Sequence, residues 1–175
     1  NGVSRESLEE MLFGDRDIKN IHHTMQSVIY NAKNKLRKAG LPIANYIRME
    51  KGVFYWTDDI LVVEDAAEFD RLYKEAQEEK DINAKLQILL EACHCYTGEF
   101  LSMYAGVMWA AAEARRYREQ FCQCVEKAAE ILRDRQDYLQ LEQLGTYASS
   151  IAPFSDWESL TMEALIGMGR YEEAG

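Results

Sequence analysis

A chain of 175 residues with 47% apolar and 11% aromatic side chains is long and apolar enough for one large or two small cores, which excludes a disordered class. Only two prolines interrupt it, favouring helices over a many-turned β fold. No apolar run approaches the roughly 20 residues of a membrane span, and no basic, apolar, small-residue leader opens the chain, so a cytoplasmic protein is expected.

The formal net charge of −10 argues against a nucleic-acid binder until its distribution is read. Residues 1–57 hold nine Lys/Arg against six Asp/Glu, a balance of +3, and the remainder carries −13. A mildly basic head on an acidic body leaves only the head suited to phosphate.

Residues 4–13, SRESLEEMLF, read as a short helix with Ser4 as N-cap and an apolar stripe of Leu8, Met11 and Leu12. Gly14 and Asp15 end it. The segment GDRDIKN is loop-like and lacks the spacing and terminal Glu of a calcium loop.

From Asn20 to Lys38 the residues Ile21, Met25, Val28, Ile29, Ala32, Leu36 and Ala39 recur at steps of three and four and predict one buried helix face. The opposite face carries His23, Gln26, Ser27, Tyr30, Asn31, Lys33, Asn34 and Arg37, with no carboxylate among them. Amides, hydroxyls and cations in this mix suit base edges and phosphates in a major groove. A solvated face shows similar residues, although glutamate is normally interspersed there.

Gly40 ends that helix. After Pro42 the stretch YIRMEKGVFYW, residues 46–56, predicts a hairpin in which Ile47 and Met49 alternate with polar neighbours and Val53 and Tyr55 alternate on the return, around a Lys51-Gly52 turn. The chain then crosses between modules over 57–63.

Asp65 reads as the N-cap of a helix whose stripe is Phe69, Leu72, Tyr73 and Ala76. Lys80-Asp81 breaks it, and Asn83 is expected to cap the next, with Leu86, Leu89, Leu90, Cys93 and Tyr96 inward. A long helix follows from about Val107, burying Trp109, Tyr117, Phe121, Cys124, Ala128 and Leu132. Arg115, Arg116 and Arg118 on it are expected to pair with neighbouring carboxylates rather than to hold a ligand.

Aligned on Pro153, the chain places small Ala129 and Ala148 where two helices cross, with Gln136-Asp137-Tyr138 as the turn between them. About 33 residues on, Gly169-Arg170-Tyr171 occupies the same place, preceded by Ser155 and Glu158 in a capping-box spacing. This is the pattern of a tetratricopeptide-like repeat. The chain stops within the last unit, so Trp157 is expected to lack part of its cover.

Cys93-His94-Cys95 and Cys122-Gln123-Cys124 offer ligand types for zinc. Within a helix, residues two apart point about 200° from each other, so one thiol of each pair faces the core and free thiols are the expectation. The histidines His22, His23 and His94 have no catalytic partner nearby, and no phosphate-binding loop, HExxH or nucleotide fingerprint is present. A non-enzyme without cofactor or metal is expected.

The series EACHCYTGEFL, then Trp109, then the AEARRYREQF helix resembles the bacterial transcriptional activator domain of SARP-type regulators. In that family a helical-repeat module follows an OmpR-type winged-helix DNA reader. The resemblance extends to residues 3–57: VSRESLEEMLFGD matches the first helix of the reader's pair, the Asn20–Gly40 helix the recognition helix, and YIRMEKGVFYW the wing. The recognition helix has Ala32-Lys33 where that family usually carries Leu-Arg, and the small sheet and helix that open such readers have no counterpart before residue 3. The chain therefore reads as a piece of a longer protein, mainly α: a partial winged helix over 1–57 and a tetratricopeptide-like activator domain over 58–175.

The resemblance implies a DNA-binding transcriptional regulator. Gln26, Ser27, Tyr30, Asn31 and Lys33 would then lie near the major groove, with His23 and Asn34 on the same face. Arg37 and Arg48 would contact phosphate, and Lys51 would reach the neighbouring minor groove. The acidic repeats would self-associate or touch the transcription machinery. A similar order occurs in response regulators of two-component signalling. The alternative is a tetratricopeptide-like interaction scaffold that does not bind DNA, and a small-molecule sensor using the concave side of the repeats is a minor option.

Overall fold

The computed structural model describes residues 2–14, 18–41, 45–57, 64–153 and 155–173. The chain divides into two compact units, Asn1–Val62 and Val63–Gly175. Among the described residues it is mainly helical with one small sheet. The interior of the expected GDRDIKN loop, Pro42 and the crossing segment 58–63 lie outside the described residues.

The first unit begins with β1 (Val3–Ser4), a strand that the capping pattern of SRES concealed. Ser4 both ends this strand and caps α1 (Arg5–Phe13), its Oγ accepting from the Ser7 amide at 3.1 Å. In α1 the buried residue is Phe13, whereas Met11, expected inward, is half exposed to solvent.

Helix α2 (Ile21–Lys38) starts where Asn20 accepts the His23 amide at 3.1 Å. It ends with the Gly40 and Leu41 amides donating to the Arg37 and Leu36 carbonyls. Of its expected buried face only Met25 is fully buried. Val28, Ile29, Ala32 and Leu36 are half-buried, and Ile21 and Ala39 are exposed. Strands of four residues run about 13 Å, while an 18-residue helix runs about 27 Å, so the small sheet cannot cover both helix ends.

Strands β2 (Ile47–Glu50) and β3 (Val53–Trp56) form the expected hairpin. Lys51 and Gly52 both adopt positive φ, 49° and 78°, the mirror-image turn whose twist matches the strands. Strand β1 adds to the far side of β3, giving the antiparallel order β1-β3-β2. Register fixes which side chains share a face. Met49 stands opposite Phe54 and Ile47 opposite Trp56, so Phe54 and Trp56 share the Ile47–Met49 face, not Val53 and Tyr55.

The second unit consists of α3 (Asp65–Glu78), α4 (Ile82–Cys95), α5 (Met108–Asp134), α6 (Tyr138–Ile151) and α7 (Glu158–Gly167), each packed on the next. Its core joins Phe69, Leu72 and Ala76 of α3 to Leu86, Leu89, Ala92 and Cys93 of α4, and both to Phe121, Cys124, Val125, Ala128 and Leu132 of α5. The small residues Ala129 and Ala148 are fully buried. Tyr73 and Leu90, expected in the core, sit half-buried at its margin, and Trp109 is half-buried as well.

Three caps differ from expectation. Glu64 holds the N-cap position of α3 without a side-chain bond, and Asp65 is already helical. Asp81, not Asn83, caps α4, accepting the Ala84 amide at 2.8 Å while Glu79 secures the Lys80 and Asp81 amides. At α7 no capping box forms. Trp157 stands at the cap without a side-chain bond. Trp157, expected to lack cover, is only 7% exposed.

The turn after α5 and the turn after α7 are copies of each other. Gln136 has φ 56° and Gly169 φ 75°, 33 positions apart. Asp137 donates its amide to Leu132, and Arg170 donates to Leu165, with the same offset.

Candidate nucleic-acid interface

On α2 the residues His23, Gln26, Ser27, Tyr30 and Asn31 follow the three–four spacing of one helical face. All five are exposed, Tyr30 at 66%, and they line one shallow groove of about 330 Å³. The Ser27 hydroxyl donates to the His23 carbonyl at 3.1 Å, which leaves the amides of Gln26 and Asn31, the imidazole and the Tyr30 phenol as the groups presented outward.

Gln26 and Tyr30 also border a second groove of about 390 Å³ between α2 and the hairpin. Its floor is Met25, Ile29, Ile47, Met49 and Phe54, and its cations are Arg5, Lys33 and Arg48. Lys33 is half-buried and donates from Nζ to Asn45 Oδ1 at 2.6 Å. Arg48 Nε stands 3.7 Å from Glu50 Oε1. Lys33, expected near the major groove, and Arg48, expected at phosphate, therefore already have polar neighbours within the unit.

Asn34 is half-buried and lines neither groove. Arg37, exposed in the last turn of α2, also sits where cations offset the helix dipole, alongside Lys35 and Lys38. Lys51 is exposed at the hairpin tip. Asn45 and Arg5 are the residues that sequence reasoning missed. Only the pairing of β1 with β3 brings Arg5 to this groove, and nothing local marks Asn45 as a partner of Lys33.

In the second unit the arginines of α5 are largely spent on carboxylates. Arg116 donates to Asp70 at 2.6 Å and lies 2.8 Å from Glu113, and its guanidinium is 4.1 Å from the Tyr117 ring centre. The Asp70 hydrogen bond raises the Arg116 guanidinium above its ordinary value. Tyr117, raised first by burial, donates to the same carboxylate at 3.0 Å. Arg118 stands 3.8 Å from Glu99. Among the described residues no ion pair forms at Arg115.

The cysteines divide as helical geometry requires. Cys93 and Cys124 are buried, Cys95 and Cys122 half-buried, and all four are free thiols. Burial pushes the Cys124 thiol up to about 12 and raises Cys93 as well. Among the described residues no three His, Cys, Asp or Glu side chains gather as a metal site would need, and no helix is long and apolar enough to cross a membrane.

Compared with protein families, residues 64–174 match the bacterial transcriptional activator domain. The chain belongs to this family. The match spans α3 to the short 3₁₀ turn Tyr171–Glu173, and with it the array of packed helices and the Gln136 and Gly169 turns. A comparison with curated proteins finds no match. Membership makes the helical unit an activator domain. The Arg116–Asp70–Tyr117 network, which ties α5 to α3 within it, is a structural element of that domain.

Proposed function

We propose that this protein is a DNA-binding transcriptional regulator of SARP type. Its first unit is part of a winged-helix reader, and its activator domain is a tetratricopeptide-like array that carries self-association or contact with the transcription machinery. The observation that carries the reading is the outer face of α2, where five exposed polar residues stand together on a helix without a single carboxylate. Bidentate amides such as Gln26 and Asn31 suit adenine in a major groove. The order of elements supports the same reading: α1, α2, then a hairpin with Lys51 at its tip, as in a winged helix-turn-helix. His23, Ser27, Tyr30 and Lys33 would lie against the same groove, Arg37 and Arg48 near phosphates, and Lys51 in the adjoining minor groove.

The test is fluorescence anisotropy with the complete protein and duplex DNA across a salt series. Binding should weaken steeply with salt, and Lys51→Ala should lower the logarithmic slope by about one unit. Asn31→Ala should relax sequence preference with the slope unchanged. Absence of binding at low salt would overturn the reading and leave a helical-repeat scaffold.

A further inference from the structure

Four aromatic rings from separate parts of the activator domain line one cavity of about 230 Å³. Phe69 comes from α3, Tyr96 from the end of α4, Phe100 from the segment after it, and Tyr117 from α5. Ring centres lie 5.8 Å apart for Phe69–Tyr96, 5.8 Å for Phe69–Tyr117 and 5.1 Å for Phe100–Tyr117. Aromatic clusters of this kind are ordinarily closed core. Here Phe69, Tyr96 and Tyr117 are buried while Phe100 is half-buried, and among the described residues the charged lining is of one sign, Asp65 and Glu99, with no lysine or arginine.

Both carboxylates retain capacity for a cation. Asp65 accepts the Ala66 amide through Oδ1, and a carboxylate has two oxygens. Glu99 has Arg118 at 3.8 Å, a long pair between half-exposed side chains and therefore weak. The surroundings already hold a cation against one of these rings, since Arg116 lies 4.1 Å from the Tyr117 centre.

We infer that this cavity binds a small organic cation, an alkylammonium or quaternary ammonium group, against the aromatic rings with Asp65 and Glu99 supplying the counter-charge. Aromatic faces attract cations through their quadrupole, and the effect grows as the cation sheds water. An anion would be repelled by the two carboxylates, and among the described residues no group of three His, Cys, Asp or Glu side chains gathers here to hold a metal ion. The volume lies below the roughly 300 Å³ at which drug-sized pockets begin, so it takes a head group rather than a large molecule. The inference is independent of DNA binding, and each stands or fails alone.

Choline is the probe, titrated into the full chain by calorimetry, with 3,3-dimethylbutan-1-ol as its neutral analogue of the same shape. Choline should saturate the site and bind at least about tenfold more tightly than the alcohol. Phe100→Ala and Glu99→Gln should each weaken it roughly five- to tenfold with the helical circular dichroism retained. Equal affinity for the alcohol, no saturation up to roughly 10 mM choline, or unchanged binding by Phe100→Ala would each overturn the inference. A peptide carrying trimethyllysine separates the sources. Displacement of choline by it points to a partner's modified side chain and failure to displace to a free small molecule, and either result upholds the cation chemistry.

Discussion

Lys33 and Asn45 are joined across the first unit by a 2.6 Å hydrogen bond, tying the middle of α2 to the residue two before β2. A cation expected near the major groove therefore also fixes the helix relative to the hairpin. The two roles separate by mutation. Asn45→Ala removes only the internal bond and should cost about 0.5–1.5 kcal/mol in chemical denaturation. Lys33→Ala should cost a similar amount. If Lys33 also contacts phosphate, it alone lowers the salt slope of DNA binding by about one unit. Equal slopes in the two variants would confine Lys33 to a positioning role.

The paired turns at Gln136 and Gly169 make a second prediction. Gln136 sits in the left-handed region at φ 56°, where a side chain costs about 1–2 kcal/mol. Glycine relieves that strain but loses roughly 0.5–1 kcal/mol through chain entropy. Gln136→Gly should therefore raise the thermal midpoint slightly, while Gly169→Ala should lower stability by about 1 kcal/mol. A drop in midpoint for Gln136→Gly would show that its side chain contributes more than its backbone costs.

Thiol reactivity should follow burial. In the native protein Cys95 and Cys122 should react with Ellman's reagent first, and Cys93 and Cys124 only on unfolding. The same burial couples to pH. Cys124 rises from an ordinary 9.0 to about 12 in the folded state. A raised acid binds its proton more tightly when folded, so its contribution to stability is complete below about pH 9 and is lost as pH rises toward 12. Denaturation across that window should show wild type losing more stability than Cys124→Ala.

The Asp70 carboxylate links α3 to α5 by accepting from Arg116 and Tyr117. Both charged side chains are more than a third exposed, so the ion pair itself is worth about 0–1 kcal/mol. Tyr117→Phe should cost about 1 kcal/mol by losing one hydrogen bond. Phe121→Ala, which empties a fully buried position, should cost about 3–5 kcal/mol. Urea unfolding followed by circular dichroism ranks the two, and a reversed order would move the centre of the core away from Phe121.

What the sequence determined by itself was local or periodic. The three–four spacing from Ile21 to Leu36 placed α2, the Lys51-Gly52 pair placed the hairpin, and the YTGEFL and Trp109 words placed the activator domain. The polar face of α2 was legible because helical geometry fixes which residues share a side. Pairing across the chain was not. Val3–Ser4 is too short to show an alternation, and it becomes a strand only because β3 lies beside it. Asp81 displaced Asn83 as a cap because Glu79 had already bent the chain there. The bond from Lys33 to Asn45 and the cavity among Phe69, Tyr96, Phe100 and Tyr117 join residues that sequence distance separates. Such groups meet only when packed helices and paired strands bring them together, so the tertiary structure alone decided which side chains share a groove.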